Sequence, residues 1–162
     1  MLSVGLIPEN DLLSSTSVEM SRVTNGAVVD EHRMTSVEGI FSCGNVLHVH
    51  DLVDNVSHEA ETAGEYAAKY ALGVIENTGE TVNVVAKDGV RYALPQRINK
   101  GEGKVQIFFR VGDVYKNCKL VVESGGTVLI SKKFMVLAPG EMCNVIIDKE
   151  SVTGDVVVRL EK

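Results

Sequence analysis

The sequence predicts an α/β segment over residues 1–78 followed by an all-β antiparallel sandwich over residues 80–162. Three observations carry this. Apolar and small residues recur at steps of three and four from Val56 to Val74, the period of a helix face. Short runs of alternating polarity, separated by glycine turns, occupy the chain beyond Thr81. The polar stretch Glu76-Asn77-Thr78-Gly79-Glu80 divides the two patterns.

In the first half, Leu2 to Ile7 is a short apolar run ended by Pro8, which cannot donate to a sheet ladder. Asn25-Gly26 signals a turn and leads into an expected strand, Ala27 to Asp30. Gly39 opens Ile40-Phe41-Ser42-Cys43, a run apolar enough for a strand buried on both faces. Gly44-Asn45-Val46 follows as a glycine turn with a polar residue. The helix then presents Val56, Ala60, Ala63, Ala67, Ala71 and Val74 on one face. Asp54 or Asn55 is expected to cap it, Glu59 and Glu61 suit its positive end, and Gly73 suits its stop. The Ala face with Gly64 predicts close approach to a flat sheet.

In the second half, Thr81 to Ala86 reads as a strand, Asp88-Gly89 as a turn and Val90 to Leu94 as the returning strand. Lys104 to Val111 alternates, with Val105, Ile107, Phe109 and Val111 on one face and Gln106, Phe108 and Arg110 on the other. Leu120–Glu123 and Thr127–Ile130 flank the hairpin turn Ser124-Gly125-Gly126. Phe134–Leu137, Cys143–Ile147 and Val156–Leu160 complete about seven strands, a spacing that suits a small immunoglobulin-like sandwich.

Composition narrows the function. A length of 162 residues and 44% hydrophobic content support a packed core, in one domain or two small ones. The net charge of −6 argues against a nucleic-acid partner. No apolar run approaches the ~20 residues of a membrane span. The N-terminus has neither the basic nor the apolar region of a signal peptide. The three cysteines, Cys43, Cys118 and Cys143, are far apart and odd in number, which suits free thiols in a reducing cytoplasm.

Three pieces of the first half resemble, in order, the end of the flavin domain in the pyridine nucleotide–disulfide oxidoreductases, with thioredoxin reductase as a relative. Val4-Gly5-Leu6-Ile7-Pro8-Glu9-Asn10 resembles the family's "G-x-x-P-N" segment. Gly26-Ala27-Val28-Val29-Asp30-Glu31 with Met34 to Phe41 resembles "G-x-I-x-V-D … T-S-x-P-G-I-F-A". Ser42-Cys43-Gly44-Asn45-Val46 resembles "A-x-G-D-x". The resemblance covers a little under half of the chain and does not extend to residues 80–162. It implies that residues 1–78 are the C-terminal portion of a Rossmann-like FAD-binding domain.

The resemblance also implies a site. In the family, the acidic residue after the glycine accepts a hydrogen bond from a ribityl hydroxyl of FAD. Asn45 holds that position here, and its amide oxygen can still accept, without charge assistance. The helix that follows turns its N-terminus toward the pyrimidine end of the flavin, where its dipole favours negative charge. The implied cofactor-binding residues are Gly44, Asn45, Val46, Asp54, Asn55 and Val56. No catalytic residue is implied. No G-x-G-x-x-G, the glycine turn that meets a dinucleotide pyrophosphate, occurs in the sequence. The expected partner is therefore the missing N-terminal flavin/NAD(P)H half that carries that turn, whether these residues are a truncated piece, a split gene product or one subunit. Alone, the chain is expected neither to bind FAD tightly nor to transfer hydride. Apolar edges left by a partial sheet predict homo-oligomerisation through residues 1–75.

Other constellations have plainer readings. His48-Val49-His50-Asp51, with His58 later, offers metal-ligand chemistry but no known ligand spacing, so no metal is assigned and a polar loop is expected. Cys43 could be a redox thiol; a Cys in an apolar strand is more often a small core residue. Gly112-Asp113 and Ser124-Gly125-Gly126 are read as turns rather than phosphate cradles. Neither G-x-S-x-G nor H-E-x-x-H occurs. The expected function is that of a C-terminal part of an FAD- and NAD(P)H-dependent oxidoreductase. The alternative is a non-enzymatic sandwich interaction module, Phe108 on its contact face, carrying a degenerate flavin-domain remnant.

Overall fold

The computed structural model describes residues 7–75 and 80–161. The chain divides into two compact units, 1–76 and 77–162. Of the apolar run Leu2–Ile7, all but Ile7 lies outside the described residues.

The first unit is built from turns and two helices, α1 (Asp11–Ser14) and α2 (Val53–Ala71). The expected strands Ala27–Asp30 and Ile40–Cys43 form no ladder. They make single antiparallel bridges, Met20 to Ala27, Val29 to Thr35 and Met34 to Phe41. A parallel strand needs neighbours along its edges and covers on both faces. Here the backbone groups are satisfied by turns instead: Asp30 N–H donates to Met34 O, Thr35 N–H to Ile40 O and Ser42 N–H to Arg33 O. A Rossmann-like parallel sheet is not seen among the described residues.

Helix α2 starts one to two residues before the expected caps. Leu52 is its N-cap, with no side-chain capping bond. Its C-terminus follows expectation: Gly73 has φ +69°, and Gly73 N–H and Val74 N–H bond back to Tyr70 O and Lys69 O in a Schellman arrangement. The buried face is not the expected alanine stripe. Glu59 and Ala63 are buried, Val56, Tyr66 and Ala67 half-buried, and Ala60, Gly64, Ala71 and Val74 exposed. The helix is turned toward position 59, and Gly64 looks into open space.

The second unit is mostly β, with two sheets. Its strands are β1 (Thr81–Ala86), β2 (Val90–Leu94), β3 (Arg97–Asn99), β4 (Lys104–Val111), β5 (Tyr115–Ser124), β6 (Thr127–Leu137), β7 (Cys143–Asp148) and β8 (Val156–Glu161). One sheet has the order β3-β1-β8-β5-β6 and the other β2-β4-β7. Ile107 and Phe109 of β4, Leu120 and Val122 of β5 and Val156 and Val158 of β8 are buried in one cluster shared by both sheets. This arrangement is compatible with a β-sandwich.

Four details differ from the sequence reading. Asp88-Gly89 does not close a hairpin, because β1 and β2 belong to different sheets; the turn passes the chain from one sheet to the other. The pairing of β1 with β8 is parallel, whereas every other ladder is antiparallel. Strand β3 is too short for a visible period, and pairs Ile98 with Val82. The runs at 127–130 and 134–137 form one strand, because at a sheet edge the polar Ser131-Lys132-Lys133 is tolerated in the middle of β6. The Ser124–Thr127 hairpin is as expected, with Gly125 and Gly126 both at positive φ. Phe108 is 1% exposed, so it presents no contact face; β4 is the central strand of its sheet. No helix among the described residues is long and apolar enough to cross a membrane.

Among the described residues, strand β6 leaves one edge unpaired and exposes Val128, Met135 and Val136. Lysines on an edge oppose strand addition. Replacing both Lys132 and Lys133 with Val is expected to raise the apparent mass in size-exclusion light scattering; unchanged mass would show that these lysines do not guard the edge.

Candidate functional site

The turn Gly44–Val46 is a 3₁₀ turn that stands against the start of α2. Three separate segments hold it. Asn10 Nδ2 donates to Val46 O and to Asn25 O, both at 2.8 Å. Gly26 lies flush on the backbone of Leu47, where a Cβ would collide with the Leu47 carbonyl. Gly44 is buried with φ +72°, and its N–H donates to Glu59 Oε2 at 2.7 Å. A side chain at Gly44 would be strained by its φ and would press on Val56 Cγ1.

Glu59 is the residue that the sequence reading misplaced. Its sequence position suits the helix dipole, yet its side chain is fully buried. Arg33 Nε donates to Oε1 at 2.9 Å, His50 Nε2 lies 3.0 Å from Oε2, and His48 Nε2 lies 3.4 Å from Oε1. Burial pushes the Glu59 carboxyl up, but the histidines' hydrogen bonds and the Arg33 charge outweigh it and hold the group far below the carboxylate range. Burial pushes His48 below its ordinary value against the pull of Glu59. Arg33 itself has φ +67°, unusual for a residue with a side chain, and is pinned there by the Arg33 N–H to Asp30 O and Ser42 N–H to Arg33 O bonds. One signal of this centre was legible: Glu59 falls three residues after Val56 and four before Ala63, on the buried face.

The histidine motif is thus partly drawn together. His48, His50 and Glu59 place one ligand atom each within 4.8 Å of one another. Asp51 and His58 stand apart, exposed, with His58 near Glu61. The residue types suit a metal, but the Arg33 guanidinium already supplies the positive charge at the carboxylate, and a divalent cation would have to sit beside it. The cluster is a buried ion pair with two imidazoles.

The six residues implied for a flavin site are distributed around this centre. Asn45 and Val46 are exposed on the turn, and Val46 O is taken by Asn10. Asn45 Oδ1 accepts from His50 N–H at 3.1 Å; an amide oxygen has a second lone pair, so acceptance from a hydroxyl remains compatible. Asp54 is exposed, and Asn55 and Val56 are half-buried, in the first turn of α2. With no side-chain cap there, Asn55 N–H turns back to Leu52 O, and the Val53 and Asp54 amides are left to solvent or a ligand. A cavity of about 370 Å³ opens beside the turn, bordered by Asn10, Leu13, Phe41, Cys43 and Val46. Cys43 is half-buried at this cavity rather than in a core strand, and burial followed by the Glu59 charge pushes its thiol up, away from the reactive thiolate. Asp30 is held in a tight loop, its Oδ1 accepting from His32 N–H and Met34 N–H.

Comparison with protein-family models, curated proteins and solved structures finds no match to this chain.

Two outcomes are expected. His48 binds a proton less readily folded than unfolded, so stability of the first unit falls as pH drops from its ordinary value of 6.5. Glu59 adds a further loss below its ordinary 4.5, where only the unfolded chain takes up a proton. Urea titrations followed by the Tyr66 and Tyr70 NMR signals, between about pH 8 and about pH 5, should show the first decline; a flat profile would contradict it. Gly26→Ala should destabilise the same unit by about 1–3 kcal/mol or more, because backbone must move.

Proposed function

We propose that this chain contributes the ribityl- and ring-facing part of an FAD site in an FAD- and NAD(P)H-dependent oxidoreductase. One observation carries the reading: Asn10 bonds Val46 O, and Gly26 lies against the Leu47 backbone just after it, so the first and second segments that resemble the flavoprotein family both meet the turn of the third. That turn stands at the uncapped start of α2 and beside a cavity. Gly44 brings backbone close, Asn45 offers an amide to a hydroxyl, and the first turn of α2 offers backbone donors and a positive dipole end. When bound, the flavin supplies the redox chemistry. The residues of this chain orient it and do not themselves move electrons.

On this reading the pyrophosphate-binding glycine turn lies outside these 162 residues, none of which forms such a motif. The three cysteines are free, in keeping with a reducing, cytoplasmic setting. The second unit, read as an immunoglobulin-like sandwich, serves as an appended module.

Riboflavin or FAD at millimolar concentration, added to the ¹⁵N-labelled chain, is expected to shift the amides of Gly44, Asn45, Val46 and residues 53–56. The two flavins should bind with similar, weak affinity, because the chain lacks the pyrophosphate turn. The second unit has its own groove, lined by Cys118, Lys133, Phe134 and Met135; shifts confined to it, or none at all, would refute the reading and favour the interaction module.

A further inference from the structure

The centre around Glu59 has a second property. A buried carboxylate bonded to Arg33, the Gly44 N–H and His50, with His48 3.4 Å away, could serve only to hold the helix in place. Two observations say more. Its shortest bond, 2.7 Å, goes to the backbone of Gly44, the first residue of the turn that carries Asn45 and Val46. Its cationic partner, Arg33, is kept in a left-handed backbone conformation that a side chain ordinarily avoids. Strain of that kind persists where the surroundings over-determine it, and it gathers at functional sites.

The geometry points to Glu59 as a positioning residue: its carboxylate, clamped by Arg33 and flanked by His48 and His50, fixes the Gly44–Val46 turn through the Gly44 N–H. This deepens the flavin-site reading and rests on it for what the turn is positioned to meet. The other anchors of the turn act at its far end and flank, through Asn10 on Val46 O and His50 N–H on Asn45 Oδ1. Glu59 grips the buried end through the Gly44 N–H, where the chain leaves the Phe41–Cys43 segment, while the Gly44 carbonyl accepts from the Leu47 and His48 N–H groups within the turn. A charge-assisted bond to a carboxylate is shorter and stronger than a neutral one, which suits it to holding a backbone group in a strained conformation. Asn45 and Val46 then stand where Gly44 puts them, one residue and two residues on.

The test uses the full chain and Glu59→Gln, which keeps size and shape and removes the charge. Gly44 N–H is expected at unusually low field in the wild type. In Glu59→Gln it should move upfield and exchange with solvent about tenfold faster or more, and the riboflavin-induced shifts at Asn45 and Val46 should shrink. A purely structural Glu59 would lower the melting temperature without moving the Gly44 signal. Arg33→Lys retains the charge but loses the fixed geometry of the guanidinium, and is read by the same signals should Glu59→Gln fail to fold. An unchanged Gly44 amide in the folded variant overturns the inference, as does a displaced Gly44 amide with full riboflavin response. Absence of any riboflavin response in the wild type refutes the flavin reading, while the Gly44 signal still decides whether Glu59 fixes the turn.

Discussion

Ionised carboxylates are costly to bury, and the first unit is organised around one that is. Glu59 has no exposed side-chain surface and is matched by Arg33, His50, His48 and the Gly44 N–H. Removing any one would leave charge or donor uncompensated in a medium of low dielectric. That single requirement draws together the loop at 30–35, the turn at 44–50 and the middle of α2, with the stacking of His32 on Tyr66 as a further tie between loop and helix. It also sets the rotation of α2, because burying Glu59 beside Ala63 leaves Ala60 and Gly64 on the outside.

The second unit rests on a different principle. Its core is continuous and apolar, with inward residues of β4, β5 and β8 meeting between two sheets. Polar chemistry is confined to its margins. Ser124 is the buried exception: its Oγ donates to Gly154 O and accepts from the Thr153 and Gly154 N–H groups, joining the β5–β6 turn to the entry of β8. The two units therefore use opposite means of specifying a structure, directional ion pairing in one and area burial in the other.

A rigid polar centre placed directly beneath an exposed turn is a common way to hold a binding geometry that a loop alone would not keep. The Gly44–Val46 turn is exposed at Asn45 and Val46 and anchored from below at Gly44. The same anchoring accounts for the histidines. Their position near a carboxylate resembles a metal site in composition, yet the Arg33 guanidinium on that carboxylate makes the cluster self-sufficient in charge.

Much of the second unit was decided by the sequence alone. Alternation placed Val105, Ile107, Phe109 and Val111 on the buried face, and paired glycines placed the turn after Ser124, because period and turn chemistry are local properties. The Schellman end of α2 at Gly73 was local in the same sense. What only the tertiary structure decided is partnership: that β1 lies parallel to β8 while β2 crosses to the other sheet, and that Glu59 turns inward to meet Arg33, His48 and His50. These partners are separated by between nine and 26 residues, with β1 and β8 further still. Sequence periodicity reports which face of an element is apolar; it carries no term for a charge whose cost of burial is cancelled by groups that only the folded chain brings near.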